Sequence, residues 1–281
     1  MVKIGFHVSI AEGIDKSVDR ALDLGCTTFQ IFTRNPRSWS CSPLKDSEVE
    51  AFKEKVKRAN ITPIYGHMPY VSNLASPNNE VYRRSMQTLK TELYRCSELE
   101  IPFLVVHLGS HLGAGLNEGM RRIAKALDYA IRDADGSVKI LIENSSGAGG
   151  QIGSTFQEMK QVLFESEIGD MIGVCLDTCH GFAAGYEFRS LEGLASTLKS
   201  FDDILSFELL QLVHLNDSLG EIGSKIDQHE HIGLGRIGDE GFKLILKSPL
   251  SRVPLIMETP YDKRRTDEDN MKKVLDLARP S

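Results

Sequence analysis

Within Ser224-Lys225-Ile226-Asp227-Gln228-His229-Glu230-His231-Ile232-Gly233 the chain sets a carboxylate and two imidazoles at alternate positions. In extended backbone alternate side chains share a face, so Asp227, His229 and His231 can converge on one point. Carboxylate and imidazole converging in this way suit a divalent metal ion. Taken alone, the segment is equally a polar loop whose histidines meet solvent or backbone carbonyls. The remainder of the chain decides between the two.

The elements that must position such groups come from hydrophobic patterning. Short runs rich in Val, Ile, Leu and Phe occur at 4–9, 27–32, 62–68, 103–109, 139–144, 172–178, 210–216 and 254–259. Stretches of helical period follow them near 14–24, 47–59, 80–98, 118–132, 155–165, 191–201, 239–246 and 266–278. Apolar runs too short for helices, each separated from the next by a helix, imply a parallel sheet covered on its outside. Eight strand–helix units in 281 residues, with no glycine-rich dinucleotide fingerprint after the first strand, predict an α/β fold of the (β/α)8 TIM barrel type. The expectation is a single domain over 1–281, ordered up to Arg279-Pro280-Ser281.

A barrel of this kind carries its active site at the carboxyl ends of its strands. His67, His107, Glu143 and Asp177 end the third to sixth strands and His180 lies just beyond; His214 and Glu258 lie near the ends of the seventh and eighth. Singly, each could be a satisfied core histidine or a helix-capping carboxylate. Together, histidines and carboxylates around one barrel mouth would leave several desolvated charges unless cations were present. With Asp227 and His229 the set has nine candidate ligands, enough for three ions with one carboxylate bridging and positions left open. Asp177 and His180, three apart, are expected to serve different ions. The donors suit zinc, with manganese or iron as alternatives. His7, at the end of the first strand, and His111, just after His107, are placed as partners of ligands or donors to a substrate. Closely spaced divalent ions suit displacement at phosphorus, because they activate water and neutralise charge on the phosphate and leaving oxygen. The expected reaction is phosphodiester hydrolysis.

Composition sets outer bounds. The net charge of −6 argues against a nucleic-acid partner only until the acids are assigned to metals, since two or three divalent ions would add roughly +4 to +6 at one face. Five cysteines at unrelated spacings argue against a disulfide framework and fit a reducing compartment. Cys175 and Cys179 flank Asp177 and are read as small buried hydrophobes. The amino terminus lacks the apolar region of a signal peptide, and no run approaches the roughly 20 residues of a membrane span. A cytoplasmic protein without membrane association is expected.

At this point the residues resemble a known family. Ile4-Gly5-Phe6-His7-Val8-Ser9, Gly173-Val174-Cys175-Leu176-Asp177-Thr178-Cys179-His180, His214-Leu215-Asn216-Asp217, Asp227-Gln228-His229 with Ile232-Gly233-Leu234-Gly235, and Ile256-Met257-Glu258-Thr259-Pro260 are similar to the endonuclease IV family of apurinic/apyrimidinic (AP) endonucleases. The resemblance implies a trinuclear zinc site and incision of duplex DNA on the 5′ side of an abasic site, leaving a 3′-hydroxyl; a monomer is expected. It implies that His67, His107 and Glu143 hold one zinc, that Glu143 bridges to a second held also by Asp177, His214 and Glu258, and that His180, Asp227 and His229 hold the third. His231 is thereby left out, as a partner of the site or a solvent residue. Glu143 becomes the catalytic carboxylate. Arg37, in the loop after the second strand, is implied to insert into the base stack, and Tyr70 and Val71 to fill the gap left by the extruded nucleotide.

Three positions depart from the family pattern. Leu219 and Gln228 stand where lysine and arginine are expected, which predicts weaker phosphate binding, and Leu108 replaces a proline. The competing reading is a single-metal sugar isomerase or epimerase of the xylose isomerase-like barrels, using Glu143, Asp177, His214 and Glu258. It leaves His67, His107, His180, Asp227 and His229 surplus. A non-catalytic binder of damaged DNA would need closed metal sites, which this ligand set does not provide.

Overall fold

In the computed structural model, which describes residues 2–132, 134 and 136–279, the alternating pattern becomes ten strands and nine α-helices among the described residues. In chain order these are β1 (Ile4–Phe6), α1 (Lys16–Asp23), β2 (Phe29–Phe32), α2 (Asp46–Ala59), β3 (Ile64–His67), α3 (Asn79–Glu98), β4 (Phe103–His107), α4 (Leu116–Arg132), β5 (Lys139–Glu143), α5 (Phe156–Glu165), β6 (Ile172–Asp177), α6 (Thr178–Ala184), α7 (Leu191–Leu205), β7 (Leu210–His214), β8 (Asp217–Ser218), β9 (His229–Glu230), α8 (Gly238–Lys247), β10 (Leu255–Met257) and α9 (Asp267–Leu277). Several helix starts carry side-chain caps. The Asn78 side chain accepts from the backbone N–H of Glu80 and Val81, and Thr266 and Asp269 form a capping box on α9.

Eight strands form one parallel sheet in the order β1-β10-β7-β6-β5-β4-β3-β2. It closes on itself where β1 meets β2, through a single parallel bridge between His7 and Gln30. Val8 N–H donates to the Gln30 carbonyl at 2.8 Å, and Thr27 N–H to that of Ile4 at 2.9 Å. Gly5 permits this approach, since a Cβ there would stand 1.7 Å from the Thr28 carbonyl oxygen. The fold is the predicted TIM barrel.

Period-two alternation along the strands explains how the barrel presents chemistry. Tyr65, Val105, Leu141, Cys175, Leu212 and Ile256 pack together inside the barrel, while the intervening residues pack outward against the helices. Two residues beyond each inner residue, on the same face, lie His67, His107, Glu143, Asp177, His214 and Glu258. The apolar plug is therefore the floor of the site. Each fully buried side chain in it contributes roughly 1.5–3 kcal/mol.

Three features differ from expectation. Strands are shorter than the apolar runs, because the ladder ends where the chain turns into the mouth. The segment after β6 is the short helix α6 rather than loop, with Asp177 as its cap. Between β7 and α8 the chain forms the two-residue antiparallel pair β8–β9, Asp217 facing Glu230 and Ser218 facing His229. Of the expected loose tail, Pro280 and Ser281 lie outside the described residues. No helix among those described is long and apolar enough to cross a membrane.

Candidate metal centre

The ligand candidates from six strand ends are joined by His180 on α6, by Asp227 in the β8–β9 loop and by His229 at the start of β9. Asp177 brings α6 back over the mouth, since its Oδ1 accepts the N–H of His180 at 2.8 Å. Its Oδ2 accepts from Asn216 Nδ2 at 2.7 Å. Asn144 grips the Asp177 backbone from the other side, accepting its N–H at 2.7 Å and donating to its carbonyl at 3.0 Å.

Three groups of donor atoms result. His67 Nε2 and His107 Nε2 lie 3.5 and 3.4 Å from Glu143 Oε2. His214 Nδ1 is surrounded by Glu143 Oε1 at 3.0 Å, Glu258 Oε2 at 3.5 Å and Asp177 Oδ2 at 3.8 Å. His180 Nε2 is 3.0 Å from Asp227 Oδ1, and His229 joins that pair within 4.8 Å. Glu143 stands between the groups, its Oε1 also 3.3 Å from His180 Nδ1. Its other oxygen, Oε2, is buried and has no hydrogen-bond partner among the described residues.

Such an orphaned carboxylate oxygen, facing two imidazole nitrogens, fits a divalent ion and fits a purely structural role poorly. The tautomers agree. His67 Nδ1–H donates to the Met68 carbonyl at 2.8 Å, that of His180 to Asn144 at 3.0 Å, and that of His229 to Glu258 at 2.9 Å. In each case Nε2 is the nitrogen directed at the group, free to take an ion once any proton on it has left.

The electrostatics are those of a site that wants cations. Burial would raise the Glu143 carboxyl, but His107 and His214, with hydrogen bonds from His180 and His214, hold it well below the usual range. Burial would likewise lower His180, yet Asp177, Asp227 and Glu143 push it well above its ordinary value. His214 is also raised well above, with burial opposed by Cys175, Glu258 and Glu143. In the bare chain these imidazolium protons act as counter-charges to the carboxylates. Burial pushes both the Cys175 and Cys179 thiols up to about 12. They stay protonated although each lies within ligand reach of the cluster, and Cys179 Sγ donates to the Gln228 carbonyl at 3.6 Å.

The flanking candidates fall in different places. His7 is joined to the site, its Nδ1 2.8 Å from Glu258 Oε1. His231 does not converge with Asp227 and His229. β9 stops at Glu230, and the fully buried His231 ring turns away to Asp262 at 3.1 Å and Asn270 at 3.0 Å. His111 sits in the β4–α4 loop, where its Nδ1 accepts from Gly113 N–H at 3.1 Å. A cavity of about 620 Å³ opens above the cluster, walled by His67, Tyr70, Val71, His107, Asp227 and His229 among others. Tyr70 packs edge-on against Phe32 with ring centres 5.0 Å apart and remains 59 % exposed. Arg37 is exposed in the loop between β2 and α2. Leu219 and Gln228 are neighbours across the β8–β9 pair, Leu219 N–H donating to the Gln228 carbonyl at 3.0 Å. Leu108 is buried.

Sequence reasoning missed the amides. Asn144 and Asn216 hold Asp177, and Asn216 Oδ1 also accepts Glu258 N–H at 2.8 Å. Gln30, fully buried on β2, accepts from His214 Nε2–H at 2.9 Å and donates to Glu258 Oε1 at 2.9 Å. A lone glutamine within the apolar Phe29-Gln30-Ile31-Phe32 was the available signal.

Comparison with known proteins places the barrel in a family. Residues 18–280 match the family described as xylose isomerase-like TIM barrel. A probable endonuclease 4 of Methanoculleus marisnigri is 48 % identical over 280 residues, covering 99 % of both chains. The crystal structure of endonuclease IV from Thermus thermophilus superposes with a TM-score of 0.85 at 32 % identity, covering 98 % of this chain and 97 % of that one. A D-tagatose 3-epimerase-like protein shares the fold alone, with a TM-score of 0.74 at 20 % identity over 98 % of this chain and 96 % of its own. Identity of this extent along the whole barrel leaves one assignment: the chain belongs to the endonuclease IV family of AP endonucleases.

Proposed function

We propose that this one-domain barrel hydrolyses the phosphodiester 5′ to abasic sites in duplex DNA, leaving a 3′-hydroxyl, and that it does so as a monomer with three zinc ions, manganese or iron being alternatives. The observation that carries the reading is the buried Glu143 carboxylate, shared between donor groups and left with an unpartnered oxygen. Metal-dependent hydrolysis of the AP endonuclease type follows from the family and the clustered donors.

His67, His107 and Glu143 would hold one ion; Glu143, Asp177, His214 and Glu258 a second; His180, Asp227 and His229 a third. When bound, such ions supply activated water and neutralise charge developing on the phosphate and the leaving oxygen. The chain's own residues provide the positioning. Three imidazoles are pinned through Nδ1–H to backbone carbonyls, so their aim is fixed before any ion arrives. Asn144 and Asn216 hold Asp177 from two sides. Above the floor, Tyr70 and Val71 line the cavity, and Arg37 projects from the neighbouring loop. These three suit wedges that offset the few kcal/mol lost in extruding a nucleotide, a cost that is least where the base is already missing. The single-ion isomerase reading uses four of these residues and leaves the His67–His107 and His180–Asp227–His229 groups without work.

The test is a duplex carrying one abasic-site analogue. Incision 5′ to the lesion is expected from the metal-loaded parent chain. Glu143→Ala should abolish incision while sparing much of the lesion binding. Near-normal turnover of that variant at saturating zinc would refute the role of Glu143, and ketose epimerisation without incision would favour the isomerase.

A further inference from the structure

We propose that Gln30 is a positioning residue of the metal centre: through one side-chain amide it fixes which nitrogen of His214 faces the carboxylates and where Glu258 points. The inference rests on the metal reading above and concerns a residue outside the ligand set.

The argument begins with Glu258. An ionised carboxylate only accepts hydrogen bonds, so the Gln30 atom 2.9 Å from Glu258 Oε1 must be the NH2. The amide orientation is thereby forced, which places Gln30 Oε1 2.9 Å from His214 Nε2. An amide oxygen can only accept, so His214 carries its proton on Nε2. Nδ1 is then the nitrogen that faces Glu143 Oε1, Glu258 Oε2 and Asp177 Oδ2, the three carboxylates around it, and the one freed for an ion when the ring gives up its second proton.

His214 has no backbone carbonyl to pin it, unlike His67, His180 and His229. Gln30 performs for it the service those carbonyls perform for the others. His7 completes the arrangement, with Nδ1 2.8 Å from the Glu258 oxygen that Gln30 also holds. The side chain has little room to take another rotamer, because Gln30 is wholly buried and both ends of its amide are engaged. Groups that orient a metal-bound imidazole in this way are typically worth about 10–100-fold in metal affinity.

Two variants separate this role from simple packing. Gln30→Met keeps length and apolar bulk but can neither accept from His214 nor hold Glu258. Gln30→Glu retains an acceptor for His214 Nε2–H. Zinc content and affinity are measured by competition with a chromophoric chelator, without DNA, and melting of the metal-free proteins is followed alongside. Gln30→Met should lose one zinc equivalent relative to the parent, or bind it about 10–100-fold more weakly. Gln30→Glu, which keeps the His214 contact but replaces the donor to Glu258 with a like charge, should bind zinc more tightly than Gln30→Met and less tightly than the parent. Identical competition curves for parent and Gln30→Met overturn the proposal, as does an equal loss in both variants, which would mean that the acceptor is not the cause. A parent chain that takes up no zinc overturns the metal reading itself, and this assignment with it.

Discussion

Glu92 offers a test of how the loop bearing Arg37 is held. Its carboxylate is completely buried on α3 and lies 2.8 Å from Arg34 Nε, while Thr33 Oγ1 donates to its other oxygen at 2.6 Å. Arg95, also buried, donates to Thr33 Oγ1 at 2.9 Å and to the Ser42 carbonyl at 2.9 Å. The β2–α2 loop is thus tied to α3 at both ends by two guanidinium groups, Arg34 paired directly with Glu92 and Arg95 linked to it through Thr33 Oγ1. Glu92→Gln keeps the shape and removes the charge. At an effective dielectric of about 20, an attraction across 2.8 Å is about 6 kcal/mol before desolvation. Removing one partner of a buried pair strands the other and typically costs about 3–5 kcal/mol. For a chain of this size that corresponds to a drop in melting temperature of roughly 6–20 °C, measured by calorimetry on the metal-loaded protein. Zinc content should not change, since Glu92 is engaged by Arg34 and Thr33 on α3 and is not one of the nine candidate ligands. KM for lesion-containing duplex should rise with kcat largely kept, because the loop and not the chemistry is loosened. A double variant, Arg34→Met with Glu92→Leu, should recover part of the lost stability. A melting shift below about 1 °C for Glu92→Gln would refute the reasoning, because it would mean that the buried guanidinium groups need no counter-ion.

Three further outcomes are expected. Leu219→Lys with Gln228→Arg, neighbours across the β8–β9 pair, should steepen the salt dependence of duplex binding by about 1.8 in log–log slope, at roughly 0.9 per added phosphate contact; unchanged slopes would sink the idea that these positions face the backbone. His180 and His214 of the bare chain are raised above their ordinary 6.5, so the stability they contribute is fully present below that value and is lost as pH rises through the raised values. The melting temperature of chelator-treated protein should therefore fall from neutral to alkaline pH, and zinc uptake near neutrality should release protons measurable in weakly buffered solution. Elemental analysis of protein purified without added metal should return three equivalents, whereas one equivalent would favour the isomerase.

Much of the fold was legible because it depends on long-range periodicity. Runs such as Phe103–His107 and Ile172–Asp177 are too apolar and too short to be anything but covered parallel strands. The donor residues were legible for the same reason, since the position two beyond an inward-facing residue faces inward again. What escaped notice was local. Thr178–Ala184 looks like the end of a strand followed by loop, and only the capping of His180 N–H by Asp177 shows it to be a helix. Two-residue strands such as β8 and β9 carry no period at all. His231 was misaligned with Asp227 and His229 because alternation holds only while the strand lasts, and it ends at Glu230. Gln30, Asn144 and Asn216 were overlooked because an amide shows its importance only through partners distant in sequence.

The closure of the sheet has a mechanical consequence. The seam is the most sparsely paired joint of the hoop, held by the His7–Gln30 bridge and the Val8 and Thr27 N–H bonds, so local opening is expected to begin there. When the seam parts, β1 stays with β10 and β2 with β3, so the two leaves that separate carry Glu258 on one side and His67 on the other. An opening at this seam would therefore widen the mouth as it loosened the barrel. Slow exchange of backbone protons at the seam and slow exchange of tightly held ions would then be two readings of one motion.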